Sequence, residues 1–408
     1  MIRNLGEKYS PLYFLAALGF GGMSVFFFML FMHVTPHPDT PMPTFESIWS
    51  AYNDGNAFLK ASVWVGYVGM TIFLFMHFFL LIWNLREFFA FRKTSAYTQL
   101  RSSNAEVTLM AVPLTLGMSV NGIFVAMMAY VPGLWDIIQS FMPFALIMYG
   151  AVGALAIYYM TIYLKRVINA GFDFKANGGL NQLLAVFAMS MIAVGFAAPA
   201  AMGTNKWVVM IAIFGSLFFA AITVLLFLAF MPIGAASMMR YGLSLQNSAT
   251  LWLTVPVTTL LGITFLRLRH GMNTLADLGP KGPVEHPKTT IFVLVVLAAA
   301  VMVQLTFLGL GHMVMRENGF YKQFVLSNET ASPAAFTLIC PGVALSVLSM
   351  FLLHVGIVQN NLIEKFSAPY YIAITLIATV AAITIWAMVT LFRNQLSRNS
   401  KIGSEQRA

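Results

Sequence analysis

The sequence predicts an all-α polytopic membrane protein with ten transmembrane helices, and two observations and one physical constraint support this fold class. Apolar residues make up 59% of the 408 residues and charged residues only 9%, whereas soluble domains carry about 25% charged residues. The apolar residues fall in long runs, and roughly 18 such residues are enough for a helix to cross the hydrocarbon layer. Lipid offers the backbone no hydrogen bonds, so these runs must be helical.

The apolar runs define the predicted spans and a simple domain organisation. Numbered in chain order, spans 1 to 10 are expected at residues 11–32, 61–85, 105–130, 138–163, 180–202, 207–231, 247–266, 289–313, 333–356 and 369–392. Residues 1–392 then form a single transmembrane domain, and residues 393–408 form a polar cytoplasmic tail. The first run is too long for the apolar core of a signal peptide and lacks an A-x-A cleavage site.

The distribution of charge predicts the orientation of the chain. The net charge is +9, and 16 of the 23 basic residues fall on one side of the membrane if both termini are cytoplasmic. Because these charges lie in loops, they give no indication of a nucleic-acid partner. The loop between spans 7 and 8 breaks the rule with several basic residues. Either Arg267, Arg269 and Lys281 draw anions to a mouth, or they belong to a solvated loop, or a span is miscounted.

The odd-numbered spans differ from the even-numbered ones in proline content. Pro113, Pro256 and Pro341 lie inside spans 3, 7 and 9, and Pro199 lies near the end of span 5. Spans 2, 6 and 8 contain no interior proline, and spans 4 and 10 carry Pro143 and Pro369 only near their starts. Proline removes a backbone hydrogen bond and kinks a helix, and the freed carbonyl groups then need protein or water as partners. We therefore expect five kinked odd helices to form an inner pore ring, with five even helices outside. The alternative is that these residues only allow close helix packing.

Polar side chains also concentrate in the odd spans, but charged ones are missing from the middle of these spans. Proton-driven transporters usually bury a carboxylate, so this composition favours a passive conduit. Hydroxyl groups, amides and helix N-termini can stabilise an anion without a buried cation. The best polar candidates for the pore lining are Asn121, Asn181, Thr254 and Ser346, for which hydrogen bonding between helices is an equal alternative.

Together these features resemble the tellurite-resistance/dicarboxylate transporter (TehA-like) family, whose plant members are the slow anion channels. The likeness covers nearly the whole chain and includes the ten spans, the proline-containing odd spans and four short stretches of sequence. These stretches are 9–23 in span 1, 102–122 in span 3, 181–195 in span 5 and 335–346 in span 9. The resemblance implies a homotrimer with one pore in each subunit, in the bacterial cytoplasmic (inner) membrane. It also implies small anions such as chloride, nitrate, malate or sulfite as substrates, with no cofactor and no metal.

Span 9 departs from the family pattern at the position of the gate. The family's bacterial channel has a phenylalanine directly before a glycine of this span, where it occludes the pore. In this chain Gly342 follows Cys340 and Pro341, so the aromatic plug is missing, and Phe336, about one turn away, is the candidate to replace it. The stretch 338–342 also resembles a bacterial branch of (seleno)proteins called TsoY-like, in which a cysteine or selenocysteine can occur.

The single cysteine and three histidines leave a second class of function open. Cys340 is either a redox-active group facing the conduit or a small buried hydrophobe. His77, His312 and His354 could join it in a metal or haem site, but their spacing favours hydrogen-bonded histidines between helices. The leading function is an anion channel or facilitative transporter for a small inorganic or carboxylate anion. The alternative is a redox membrane subunit or a thiol-dependent membrane protein that uses Cys340.

Overall fold

A computed structural model describes residues 1–280, 282–287 and 289–397 of the chain. Within these ranges the regular elements are helices, and ten of them are long and apolar enough to cross a membrane. Spans 1 to 10 are Pro11–Val34, Ala57–Phe91, Asn104–Tyr130, Leu134–Ala170, Leu183–Met202, Lys206–Tyr241, Leu245–Asp277, Thr290–Glu317, Pro333–Asn360 and Ala368–Leu396. The prediction of an all-α protein with ten spans is therefore confirmed, and the chain is a multi-pass membrane protein.

Several helices are longer than their apolar runs, which corrects the expected pattern of prolines. Spans 4 and 6 contain 37 and 36 residues, and at 1.5 Å per residue each is about 55 Å long, compared with roughly 30 Å of hydrocarbon. Pro143 therefore lies well inside span 4, and Pro232 lies inside span 6. The expectation that interior prolines avoid the even spans was wrong. The reason is that a helix continues into the polar layer after its sequence stops being apolar.

Burial separates the odd spans from the even spans. In the most apolar stretch of each odd span, 72–94% of the residues are buried in the protein, compared with 22–39% in the even spans. Phe75, Ile147, Leu225 and Leu376 of the even spans are each more than 60% exposed. Apolar surface of this kind is stable only when lipid covers it. The odd helices therefore occupy the interior of the protein, and the even helices surround them.

Four odd spans begin with a 3-10 segment before the α-helix starts. The α-helical parts of spans 3, 7 and 9 begin at Ala111, Thr254 and Ile339, so the prolines at 113, 256 and 341 are each the third α-helical residue. The first-turn N–H groups of an α-helix lack an acceptor within that helix, so a proline there removes no α-helical hydrogen bond and is tolerated. The change from 3-10 to α geometry thus accommodates these prolines without an interior break.

Both ends of the described chain are tied to the helices. The buried carboxylate of Glu87 in span 2 accepts hydrogen bonds from the backbone N–H groups of Asn4 and Leu5. The N–H of Ile2 donates to the carbonyl of Leu396 at 3.0 Å. Span 10 therefore continues four residues into the segment expected to be tail, and residues 398–408 lie outside the described residues.

A buried ion triad joins span 3 to its neighbours. Glu106, which is only 2% exposed, accepts hydrogen bonds from Nε of Arg101 at 2.5 Å and from Nε of Arg166 at 2.9 Å. Arg101 lies in the connection before span 3, and Arg166 lies near the end of span 4. Two guanidinium groups neutralise this carboxylate, so the role of Glu106 is to hold span 3 against its neighbours.

We expect Glu106→Gln to destabilise the protein by about 3 kcal/mol, because removing one partner of a buried ion cluster leaves the other charges uncompensated. Thermal unfolding of the purified protein in detergent, followed by circular dichroism, measures the effect as a lower midpoint. Glu317→Gln is the matched control, since Glu317 is exposed at the end of span 8 and such substitutions usually change stability by less than about 0.5 kcal/mol. Equal midpoints for the two variants would contradict this role for Glu106.

Candidate functional site

A cavity of about 150 Å³ lies between the five odd spans. Its wall includes Gly22 of span 1, Met118 of span 3, Met191 of span 5, Ile263 of span 7 and Val343 of span 9. The even spans contribute no residue to this wall. We call this space the central cavity. The alternation of buried and exposed spans thus places one internal space at the centre of the helix bundle.

Two smaller cavities lie on either side of the central cavity, towards opposite ends of the odd spans. The second cavity, of about 60 Å³, shares Asn121, Val125, Ala198 and Arg267 with the central cavity and lies towards the C-terminal ends of the odd spans. The third cavity, of about 10 Å³, has room for about one water molecule. Its wall is formed by the N-terminal ends of the same five helices, with residues Leu12, Leu15, Thr108, Asn181, Leu184, Thr250, Leu253, Ala334 and Thr337.

One helical turn separates the third cavity from the central cavity. On four odd spans, the last residue of the third cavity and the first residue of the central cavity are three positions apart. These pairs are Leu15 and Leu18, Leu184 and Phe187, Leu253 and Pro256, and Thr337 and Cys340. Three residues correspond to about 4.5 Å along a helix. The cavities are therefore separated by a short, mostly apolar constriction, and Phe187 is the largest of the eight residues that flank it.

Arg267 is the charged residue of this cavity system. It lies in the wall shared by the central and second cavities, and its side chain is partly exposed. Among the described residues, its guanidinium has no ion pair and no hydrogen-bond acceptor. A guanidinium carries five N–H donors, and an arginine within a protein is normally paired. Arg267 therefore presents a positive charge and free donors to the cavity.

Two polar side chains accompany Arg267. The hydroxyl of Tyr149 in span 4 donates to Oδ1 of Asn121 at 2.6 Å, and Nδ2 of Asn121 lies 3.3 Å from the sulfur of Met191. Tyr149, Asn121 and Arg267 all line the second cavity. Asn121 is thus held in one orientation beside the guanidinium, with its amide oxygen already occupied by Tyr149.

The helix of span 7 explains why Arg267 reaches the cavity. The apolar run was expected to end at residue 266, which placed Arg267 and Arg269 in a loop. Instead the helix continues to Asp277, so Arg267 is one turn beyond the cavity residue Ile263. Arg269 lines none of the three cavities, and Lys281 lies outside the described residues.

The structure divides the expected pore-lining residues into two groups. Asn121, Pro256 and Cys340 line the central cavity, and Asn181 lines the third cavity. The six others line none of the three cavities: Pro113, Thr254, Phe336, Pro341, Gly342 and Ser346.

Members of the second group make contacts between or within helices. The ring of Phe336 is fully buried and its centroid lies 6.0 Å from that of Tyr13. A Cβ atom at Gly342 would overlap the side chain of Thr384 in span 10. The hydroxyl of Ser346 donates to the carbonyl of Gly342 at 2.9 Å. In this arrangement Phe336 does not occupy the cavity axis.

Hydrogen bonds account for two of the three histidines named from the sequence. His77 of span 2 is fully buried and contacts the carbonyl of Ala17 at 2.8 Å and the hydroxyl of Ser119 at 2.9 Å. It thereby joins spans 1, 2 and 3. His312 is exposed and contacts the hydroxyl of Tyr321 at 3.1 Å. Both side chains serve contacts between neighbouring segments.

The third histidine, His354, forms a pair that sequence analysis did not identify. Its ring stacks on that of His33 with centroids 4.6 Å apart and an interplanar angle of 11°. Its nitrogens contact the carbonyl of Met350 at 2.8 Å and the hydroxyl of Tyr370 at 3.0 Å. A ring nitrogen binds a metal ion in the plane of its ring. Because the planes of these two rings are nearly parallel and separated, nitrogens of both rings do not converge on one ion. Within the described ranges, no three His, Cys, Asp or Glu side chains form a group that could hold a metal.

Two residues that shape the site were not predicted from the sequence: Phe187 at the constriction and Tyr149 beside Arg267. Phe187 had a weak signal, since span 5 is made largely of small and aliphatic residues and contains only one other aromatic residue, Phe196. No family model matches the chain, and no curated protein or solved structure matches it either. Function is therefore inferred from the cavities and the residues around them.

Proposed function

We propose that the chain is a membrane anion channel or facilitative transporter, with a path through each subunit between the five odd spans. The observation that carries this proposal is Arg267, an unpaired guanidinium in the wall of a cavity at the centre of a membrane protein. In a medium of low dielectric constant, an isolated positive charge attracts an anion strongly. The third, central and second cavities together supply the path, and the constriction at Phe187 closes it in this conformation.

The chemistry of the walls favours anions over cations. Apart from Arg267, the described residues that line the three cavities are uncharged. Cation paths are built from carbonyl groups or from rings of Asp and Glu. The buried carboxylates Glu87 and Glu106 are held by backbone and guanidinium donors elsewhere. Since no carboxylate in the described part of the chain lines the path, passive movement down a gradient fits this path better than proton coupling.

A second basic group lies near the C-terminal end of span 1 but lines none of the three cavities. Lys365, just before span 10, donates from Nζ to the carbonyl of Val34 at the end of span 1, at 3.3 Å. Burial lowers the pKa of this amine and so weakens its hold on the proton, which leaves Arg267 as the group that supports anion selection. The substrates we propose are small inorganic or carboxylate anions. The assembly and location proposed with them are a homotrimer in the bacterial inner membrane with both termini cytoplasmic, in line with the placement of basic residues in the loops.

Flux in proteoliposomes tests the proposal. Purified protein is reconstituted, and uptake is measured for chloride, nitrate, sulfite, selenite and malate. We expect at least one anion to be transported, and Arg267→Met to reduce its rate at least tenfold, because the binding charge is lost. Arg316→Met is the matched control, since Arg316 is exposed at the end of span 8 and lines none of the cavities. The proposal fails if folded protein moves none of these anions, or if the two variants behave alike.

A thiol-dependent membrane protein is the second candidate, because Cys340 lies in the wall of the central cavity. The sulfur is buried and its neighbours in that wall are largely apolar, which disfavours the reactive thiolate. Under the anion proposal, Cys340→Ser should leave flux within about twofold of the wild-type rate. Loss of flux in this variant, with the folded protein intact, would favour the thiol function instead.

A further inference from the structure

The central cavity has two chemically different parts. Arg267 stands at the boundary with the second cavity, and most of the remaining wall consists of Leu, Ile, Val, Met and Phe side chains. The hydroxyl of Thr259 already donates to the carbonyl of Ala344 at 2.9 Å and accepts from Gln304 at 2.6 Å. With Asn121 held by Tyr149, Arg267 is the group that offers several free donors to a ligand.

This asymmetry selects among anions by the cost of dehydration. A small anion such as chloride loses much of its water on entering and regains contacts only at the guanidinium. The apolar wall offers no hydrogen bonds to replace the lost water. An anion with an apolar body instead gains from burying that body against the wall. A second negative charge would have to lie against the apolar part, where no donor faces it.

We infer that the central cavity binds a monoanion with an apolar body about the size of a benzene ring. This inference rests on the proposed function and specifies the substrate class of the same site. The planar head, a carboxylate or sulfonate, pairs with the guanidinium of Arg267, whose fork of N–H donors fits two oxygens. The body occupies the space between Met118, Met191 and Val343. The cavity volume of about 150 Å³ matches this body, since apolar cavities of about this size bind benzene.

Binding of sulfonates to the purified protein tests the inference without any transport step. Sulfonates stay charged, so they do not cross a bilayer as neutral acids. Isothermal titration calorimetry compares benzenesulfonate with methanesulfonate, which has the same head and no ring, and with 1,3-benzenedisulfonate, which adds a second charge. We expect benzenesulfonate to bind at least tenfold more tightly than either of the others. Equal affinities for benzenesulfonate and methanesulfonate would overturn the inference.

Two variants separate the contributions of head and body. Val343→Trp fills the cavity and should weaken benzenesulfonate at least tenfold while changing methanesulfonate less than threefold. Arg267→Met should weaken both ligands, and Arg316→Met should weaken neither. If Val343→Trp does not fold, the comparison of the three sulfonates on the wild-type protein still tests the inference. Benzenesulfonate is also added to the flux measurement, and anion flux without any preference for it sinks this inference alone. Tight sulfonate binding without flux of any anion, benzenesulfonate included, sinks the transport proposal and leaves the binding site standing.

Discussion

Phe187→Ala should raise the rate of anion flux at least tenfold over that of the wild-type protein. Phe187 lines the central cavity, and Leu184, about one turn earlier in the same helix, lines the third cavity. The side chain of Phe187 is only 4% exposed. An apolar constriction blocks ions because water and hydrated ions leave it. Replacing the ring by a methyl group joins the two cavities and lets water enter, so the barrier to an ion falls. A tenfold increase corresponds to a barrier lowered by about 1.4 kcal/mol.

Stopped-flow measurement of chloride or nitrate uptake into proteoliposomes provides the test, with the amount of folded protein in each preparation held equal. Phe196→Ala is the matched control, because Phe196 lies in the same span but stacks on Phe219 at 5.9 Å and lines none of the three cavities. It should lose stability to a similar degree without a gain in flux. If Phe187→Ala and Phe196→Ala show the same rates, the constriction does not limit passage.

Hydropathy predicted the number and type of the helices because lipid imposes a simple rule on composition. Each span has to remain apolar over the hydrocarbon layer, so the ten runs are visible in the sequence. The burial of the odd spans and the exposure of the even spans were also predictable, since helices inside the protein are enriched in Gly, Pro, Ser and Thr. Helix ends were less predictable, as Pro143 and Pro232 show, because polar residues can continue a helix beyond the membrane.

The rotation of each helix could not be predicted from the same information. Cys340 lines the central cavity, whereas Gly342, only two positions later, faces span 10. Two residues turn a helix by about 200°, which separates opposite faces. In soluble proteins a polar stripe marks the outward face, but a helix that is apolar on all sides carries no such mark. The candidates on spans 3, 7 and 9 were therefore divided between cavity and packing positions.

The position of Arg267 inside a helix is a second feature that hydropathy did not predict. A charged residue ends an apolar run, so hydropathy assigns it to a loop. In the structure the helix continues past it, and the tertiary packing of five helices supplies a cavity in which the charge is accommodated. A charged residue near a membrane segment is a candidate for function when it faces such a space. The basic residues in the connection after span 7 gave the one hint available in the sequence.

Gly342→Ala should lower the thermal stability of the protein, whereas Gly309→Ala should maintain or raise it. A Cβ atom at position 342 would overlap the side chain of Thr384 in span 10, while at position 309 in span 8 it would meet no atom within 4 Å. Overpacking of a tight contact costs roughly 1–3 kcal/mol. At the open position, alanine gains up to about 1 kcal/mol over glycine, because glycine loses more backbone freedom in a helix. Thermal unfolding in detergent should therefore show midpoint shifts of opposite sign.

A second substitution at the contact decides between a packing role and a pore role for Gly342. Thr384→Ala removes the hydroxyl and methyl groups that the new Cβ would meet, so the double variant should recover at least half of the lost stability. Anion flux should follow the amount of folded protein, with no change in the order of preferred anions. If Gly342 instead formed part of the path, Gly342→Ala would alter flux at unchanged stability, and Thr384→Ala would not restore it. Spans 9 and 10 would then have to pack differently, because Gly342 cannot contact Thr384 of span 10 and face the cavity at the same time.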